Sequence, residues 1–78
     1  MDEKLKTFIL EVKERYTDYP AYLDDKYNFV VSKDGHLILI SIDILRKYYE
    51  GSIASIEPRN VFITRTIGYI RKVVSKIN

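Results

Sequence analysis

Cysteine, tryptophan and glutamine are all missing from this 78-residue chain. Without cysteine the chain can form no disulfide, no thiolate metal site and no cysteine nucleophile. Histidine occurs once, as His36, and no acidic residue near it has the spacing of a metal ligand. The sequence therefore predicts neither a metal site nor a cofactor.

Long apolar runs are missing as well. No segment approaches the roughly 20 apolar residues that cross a bilayer, and the charged start, with Asp2, Glu3 and Lys4, has no signal-peptide core. At 46% hydrophobic and 31% charged residues, the composition is that of a folded globular chain. We expect one small domain over residues 1–78, located in the cytoplasm. Abundant lysine without glutamine fits a thermophilic source, although an AT-rich coding bias would give the same composition.

The sequence also contains no recognisable catalytic set. Asp24 and Asp25 are adjacent, so in an extended segment their carboxyl groups point apart instead of converging on a substrate. Ser32 and His36 flank a predicted hairpin turn, where no catalytic triad can be assembled. The three glycines are too scattered for a phosphate-binding loop. We expect that the protein is not an enzyme.

Apolar residues at helical spacing predict an amphipathic helix over Asp2–Thr17. Its buried stripe would consist of Leu5, Phe8, Ile9, Val12 and Tyr16. The helix should end before Pro20, because the residue that precedes a proline is disfavoured in the helical conformation. The next segment, Asp18–Lys26, is predicted to be a loop.

A β-hairpin is the clearest structural prediction. Two strand-like segments, Asn28–Lys33 and His36–Ser41, flank the dipeptide Asp34-Gly35, which suits a two-residue type I′ turn. This turn sets a register with three apolar cross-strand pairs, Phe29 with Ile40, Val31 with Ile38 and Val30 with Leu39. Both faces of the hairpin are therefore apolar, whereas a hairpin with one face in water would alternate. We expect the second face to be covered by this chain or by a second copy.

Two helices are predicted after the hairpin. The first covers Ile42–Glu50, with Ser41 as its N-cap and Gly51 as its end. A linker over Ser52–Arg59 follows and has room for one helical turn or a short strand. The second helix begins with Asn60 as N-cap and carries an apolar stripe of Ile63, Ile67, Ile70, Val74 and Ile77.

The start of this last helix has an alternative. Val61–Thr66 is rich in β-branched and aromatic residues, which favour strands, and Gly68 costs about 1 kcal/mol inside a helix. A third strand followed by a shorter helix is therefore the competing interpretation. Under the first interpretation the fold class is α+β, with an N-terminal helix, a β-hairpin, a short helix and a long C-terminal helix.

Charge is distributed unevenly along the chain. Residues 1–51 contain eight Lys or Arg and ten Asp or Glu, whereas residues 52–78 contain five and one. Cations on a helix attract polyanions, because they replace the counterions condensed on a nucleic acid. The residues predicted to contact DNA are Arg59, Thr64, Arg65, Thr66, Tyr69, Arg71, Lys72 and Lys76. Thr64 and Thr66 are the candidates for reading base edges.

The run Thr64–Lys72 is loosely similar to the recognition helices of helix-turn-helix and winged-helix domains. That resemblance implies that the short helix and the basic helix form the helix-turn-helix. The hairpin would then be the wing, with Lys33 and His36 at its tip. The leading functional prediction is a small, non-enzymatic DNA-binding protein that regulates transcription.

Two other interpretations stay open. The basic stripe is also what a solvated helix end looks like, since cations near a helix C-terminus interact favourably with its dipole. The other interpretation is that the protein is an interaction module or inhibitor that docks on a partner protein. Its interface would then include Leu10, Tyr19, Tyr22, Val30 and Leu39. A homodimer, formed through the hairpin or through one helix, is expected in either case.

Overall fold

The computed structural model describes residues 2–77. They form an α+β domain in which one helix, a three-stranded antiparallel sheet and two further helices follow one another. The elements are α1 (Glu3–Arg15), β1 (Ala21–Leu23), β2 (Phe29–Lys33), β3 (His36–Ile40), α2 (Ile42–Ala54) and α3 (Arg59–Ser75). None of the described helices has an apolar stretch long enough to cross a bilayer.

Helix α1 has the buried stripe that its sequence predicts, because Leu5, Phe8, Ile9, Val12 and Tyr16 all lie in the core. Asp2 is its N-cap and accepts a hydrogen bond from the Lys4 amide at 2.9 Å. The predicted end at Thr17 is wrong by two residues. The helix ends at Arg15, and Tyr16 is already extended, which turns its ring onto Phe29 in the sheet.

The hairpin prediction is confirmed in both turn and register. Asp34 and Gly35 have φ angles of 50° and 81°, the left-handed values that both central residues of a type I′ turn require. Phe29 pairs with Ile40 and Val31 with Ile38, and these side chains belong to the core. The pair of Val30 and Leu39 lies on the opposite face.

The predicted loop Asp18–Lys26 contains a strand that its sequence does not indicate. In this strand, β1, Tyr22 pairs with Val30 and Leu23 pairs with Phe29. The pairing continues for one more bond, because the Pro20 carbonyl accepts from the Ser32 amide at 2.9 Å. Three residues are too few to show an alternation of apolar and polar side chains. The strand therefore forms because it pairs with β2, and its own sequence does not indicate it.

Gly51 does not end α2, which continues to Ala54. A Cβ at position 51 would lie 3.0 Å from Cε1 of Phe62, on the neighbouring helix. This glycine therefore permits the close approach of α2 and α3 and has no role as a stop. The predicted N-cap is confirmed, since the Ser41 side chain accepts from the Asp43 amide at 3.1 Å.

Helix α3 includes Val61–Thr66, so the strand alternative is wrong. Phe62 and Ile63 are both buried against the rest of the core, and this burial outweighs the strand preference of the segment. The predicted N-cap is also wrong, because the helix begins at Arg59 with Pro58 in the capping position. The Asn60 side chain instead accepts a hydrogen bond from Nη1 of Arg15 at 2.9 Å, which ties α3 to α1.

The Tyr16 hydroxyl lies in the core without a hydrogen-bond partner among the described residues. Burial raises its pKa, and the Asp18 carboxylate adds to the effect. An unfolded tyrosine ionises near pH 10. Above that pH the unfolded chain releases this proton more readily than the folded chain, so the free energy of unfolding falls as the pH rises.

We expect Tyr16→Phe to raise the free energy of unfolding by about 1 kcal/mol at pH 7, with a larger advantage at pH 11. Urea denaturation at both pH values measures this. Tyr22→Phe, at an exposed position, serves as the control. A loss of stability in Tyr16→Phe at pH 7 would show that the hydroxyl has a partner, such as an ordered water.

Candidate functional site: the exposed face of α3

Helices α2 and α3 form a helical pair joined by a short connection. Four residues, 55–58, separate the end of α2 from the start of α3, which is the connection length of a helix-turn-helix. The two helices pack closely where Gly51 meets the Phe62 ring, and the rings of Tyr48 and Tyr69 lie 6.1 Å apart. The pair therefore has the short connection of a helix-turn-helix, with α3 as its second helix.

One side of α3 is exposed and cationic. We call it the cationic face, and its members are Thr64, Arg65, Gly68, Arg71, Lys72 and Lys76, all of which are exposed. Arg65 and Lys76 are eleven residues apart, which corresponds to roughly 16 Å of helix. No Asp or Glu occurs between residues 59 and 77, so every charge that α3 contributes is positive.

Two arginines of the cationic face are paired with acids of the same chain. Nη2 of Arg65 lies 3.1 Å from a carboxylate oxygen of Glu57. Arg71 forms a bidentate pair with Asp18, with Nε–Oδ2 at 2.7 Å and Nη2–Oδ1 at 3.2 Å. This hydrogen bonding lowers the pKa of Asp18 and raises the pKa of Arg71. Asp18 is therefore ionised at neutral pH and offsets the charge of Arg71.

These pairs are exposed to solvent, so they are weak. About half of each arginine side chain is accessible, and exposed pairs contribute roughly 0–1 kcal/mol each. Lys72 and Lys76 form no salt bridge in the part of the chain that the structure describes. The cationic face thus has two unpaired cations and two that a stronger anionic ligand can detach from their acids.

Two of the predicted DNA-contacting residues lie away from this face, and a third is partly covered. Thr66 is fully buried, and its hydroxyl donates to the Phe62 carbonyl at 2.7 Å, so the prediction that it reads base edges is wrong. Arg59 pairs with Glu11 at 2.9 Å and connects α3 to α1. Tyr69 is half-buried beside Tyr48.

Tyr69 and Arg65 instead line a groove between α2 and α3. It has a volume of roughly 430 Å³, and its walls are formed by Ile44, Lys47, Tyr48, Phe62, Arg65 and Tyr69. The Arg65 guanidinium stacks on the Phe62 ring, with Cζ 4.9 Å from the ring centroid. The groove adjoins the cationic face through Arg65.

The hairpin tip does not present the two basic side chains expected of a wing. Nζ of Lys33 donates to the carbonyls of Val74 and Ile77 at 3.3 and 2.7 Å, so it caps the C-terminal end of α3. His36 is exposed. No cluster of three metal-ligating side chains occurs among residues 2–77.

A second exposed surface lies on the sheet. Tyr22, Val30 and Leu39 form one cross-strand row that points away from the core, and Leu37 lies beside them. We call these four residues the outer sheet face. Leu37, Leu39 and Tyr22 are 67%, 58% and 47% exposed, whereas Val30, between its two neighbours, is only 6% exposed.

The other predicted interface residues do not join this surface. Leu10 is exposed on α1, and the chain that leaves α1 packs on the opposite side of the sheet, where Tyr16 meets Phe29. Tyr19 lies in the loop after α1, near Nζ of Lys33. Leu37 joins this surface although it was not among the predicted interface residues; its spacing of two from Leu39 on a strand places both on one face.

Comparison with known protein families, with characterised proteins and with solved structures found no match to this chain.

Proposed function

We propose that this protein is a small, non-enzymatic DNA-binding regulatory protein that binds duplex DNA with the cationic face of α3. The observation that carries the proposal is the composition of that face, where Arg65, Arg71, Lys72 and Lys76 are exposed on one side of one helix. Since α3 contains no acidic residue, its exposed side attracts phosphates along its whole length.

The helical pair supports the same proposal. In a helix-turn-helix the second helix enters the major groove and uses its N-terminal part to contact base edges. Thr64 is exposed near the start of the cationic face, where its hydroxyl can donate to or accept from a base. The basic residues that follow contact phosphates, which fix the position of the helix without reading sequence.

The acids beside the cationic face allow DNA to bind but lower its affinity. Glu57 and Asp18 neutralise two arginines in the free protein. A phosphate must displace or accommodate these carboxylates, and this lowers affinity. The same carboxylates hold both guanidinium groups in place before the DNA arrives, which reduces the conformational entropy lost on binding.

The salt dependence of binding to a short duplex tests the proposal. Four phosphates neutralised by the cationic face give a slope of log K against log salt of about −3 to −4. Fluorescence anisotropy of a labelled duplex between low and physiological salt measures this slope. Absence of binding at low salt, or affinity that does not change with salt, would refute DNA binding by this face.

A second candidate function, protein association, is favoured by the outer sheet face. Exposed leucines at alternate positions of an edge strand are unusual for a monomer, because a free, apolar edge invites pairing with another chain. Strand β3 is an edge, since the strand order is β1-β2-β3. Its sequence from His36 to Ile40 contains none of the lysine, proline or bulge residues that commonly protect edges.

We propose that the partner on this edge is a second copy of the chain. A two-residue hairpin turn makes every second residue of β3 a hydrogen-bonded partner of β2, and these residues are His36, Ile38 and Ile40. The backbone N–H and C=O groups of Leu37 and Leu39 therefore point to the open edge. In antiparallel pairing centred on Ile38, Leu37 of each copy lies opposite Leu39 of the other. The edge is thus complementary to itself, and the result is a six-stranded sheet with two-fold symmetry.

A further inference from the structure

Gly68 is the one glycine among the described residues whose place in this subunit has no internal explanation. Gly35 adopts a φ of +81°, which favours glycine, and Gly51 makes room for the Phe62 ring. Gly68 lies in the middle of α3, and a Cβ added there would meet nothing within 4 Å. Alanine would fit without strain and would be a better helix former.

The surroundings of Gly68 indicate what approaches it. Thr64 and Arg65 lie one turn before it on the cationic face, and Arg71 and Lys72 lie one turn after it. A glycine at this point leaves a shallow notch between cations, in which a ligand can contact the helix backbone. Because it has no side chain, a glycine lets a ligand come close to the main chain.

We infer that Gly68 is the point of closest approach between α3 and the sugar-phosphate backbone or groove floor of the bound DNA. This inference rests on the proposed function. It adds to the attraction between the cations and the phosphates the requirement that position 68 carry no side chain. The alternative occupant of the notch is the α3 helix of a second copy. Two cationic faces would repel each other, so this alternative is disfavoured.

The test is to add side-chain volume at position 68 and to measure stability and affinity separately. Gly68→Ala should raise the melting temperature by roughly 4–8 °C and weaken binding of a short duplex several-fold. Gly68→Leu should also fold well and weaken binding by roughly tenfold or more, the range expected from overpacking a close contact. Stability and affinity thus change in opposite directions.

Ala54→Leu adds similar volume at an exposed position near the end of α2 and should leave affinity unchanged. If both Gly68 variants bind DNA like the wild type while binding remains steeply salt-dependent, the inference about Gly68 is wrong and the proposed function survives. If no variant and no wild type binds DNA, the proposed function fails as well. Loss of self-association in Gly68→Leu, with DNA binding intact, would assign the notch to a second copy and overturn the inference.

Discussion

Replacing Arg65, Arg71, Lys72 and Lys76 together by alanine is expected to reduce affinity for duplex DNA by two to three orders of magnitude. At physiological salt each neutralised phosphate is worth about fivefold in affinity, so four contacts together give roughly 600-fold. The variant should remain folded, because the lost ion pairs are exposed and alanine favours helices. Fluorescence anisotropy at several salt concentrations, together with a thermal melt, measures both properties.

A control variant with the same net charge separates the effect of the cationic face on DNA affinity from the effect of net charge. Replacing Lys4, Lys6, Lys13 and Lys26 by alanine removes the same charge from α1 and the loop before β2, and affinity should fall much less. If the two variants lose affinity equally, binding depends on net charge alone and the assignment to α3 is wrong.

Neutralising the acids beside the cationic face should change DNA affinity in the opposite direction. Asp18→Asn with Glu57→Gln releases Arg71 and Arg65 from their partners. If these guanidinium groups contact phosphates, affinity should rise several-fold in this variant, because two competing carboxylates are gone. Unchanged affinity would indicate that the two arginines do not contact phosphates and that Lys72 and Lys76 carry the binding.

Replacing Leu37 and Leu39 by threonine is expected to make the protein monomeric. Threonine keeps the strand propensity of β3 but removes the apolar side chains that would face each other across the pairing of two copies. Because both leucines are more than half exposed in the single chain, their loss should change the stability of the subunit little. Sedimentation velocity over a range of concentrations measures the change in oligomeric state.

Ile53→Thr with Ile56→Thr is the matched control for this variant. Both isoleucines are also large, aliphatic and exposed, at 65% and 105%, but they lie at the end of α2 and in the linker. The control should associate as the wild type does. A wild type that is monomeric at all concentrations, or a leucine variant that still dimerises, would contradict self-pairing through β3.

The sequence predicted those parts of the fold in which local preference and burial agree. The stripe of α1, the Asp34-Gly35 turn and the cap at Ser41 are each set by residues close together in the chain. The hairpin register followed directly, because a two-residue turn leaves only one pairing of the flanking strands. The cations of α3 were likewise visible from their helical spacing.

Contacts between distant residues determined the remainder. Strand β1 forms because Tyr22 pairs with Val30 in β2, and Gly51 lies inside α2 at a point where a larger residue would meet the Phe62 ring of α3. The same holds for the site, where Thr66 lies in the core and Arg71 is held by Asp18, 53 positions away. Periodicity assigns a residue to a face of its own helix, but which acid or ring lies opposite that face depends on how the elements pack. The sequence therefore fixes the charge of α3, and tertiary packing sets how much of that charge reaches the surface unpaired.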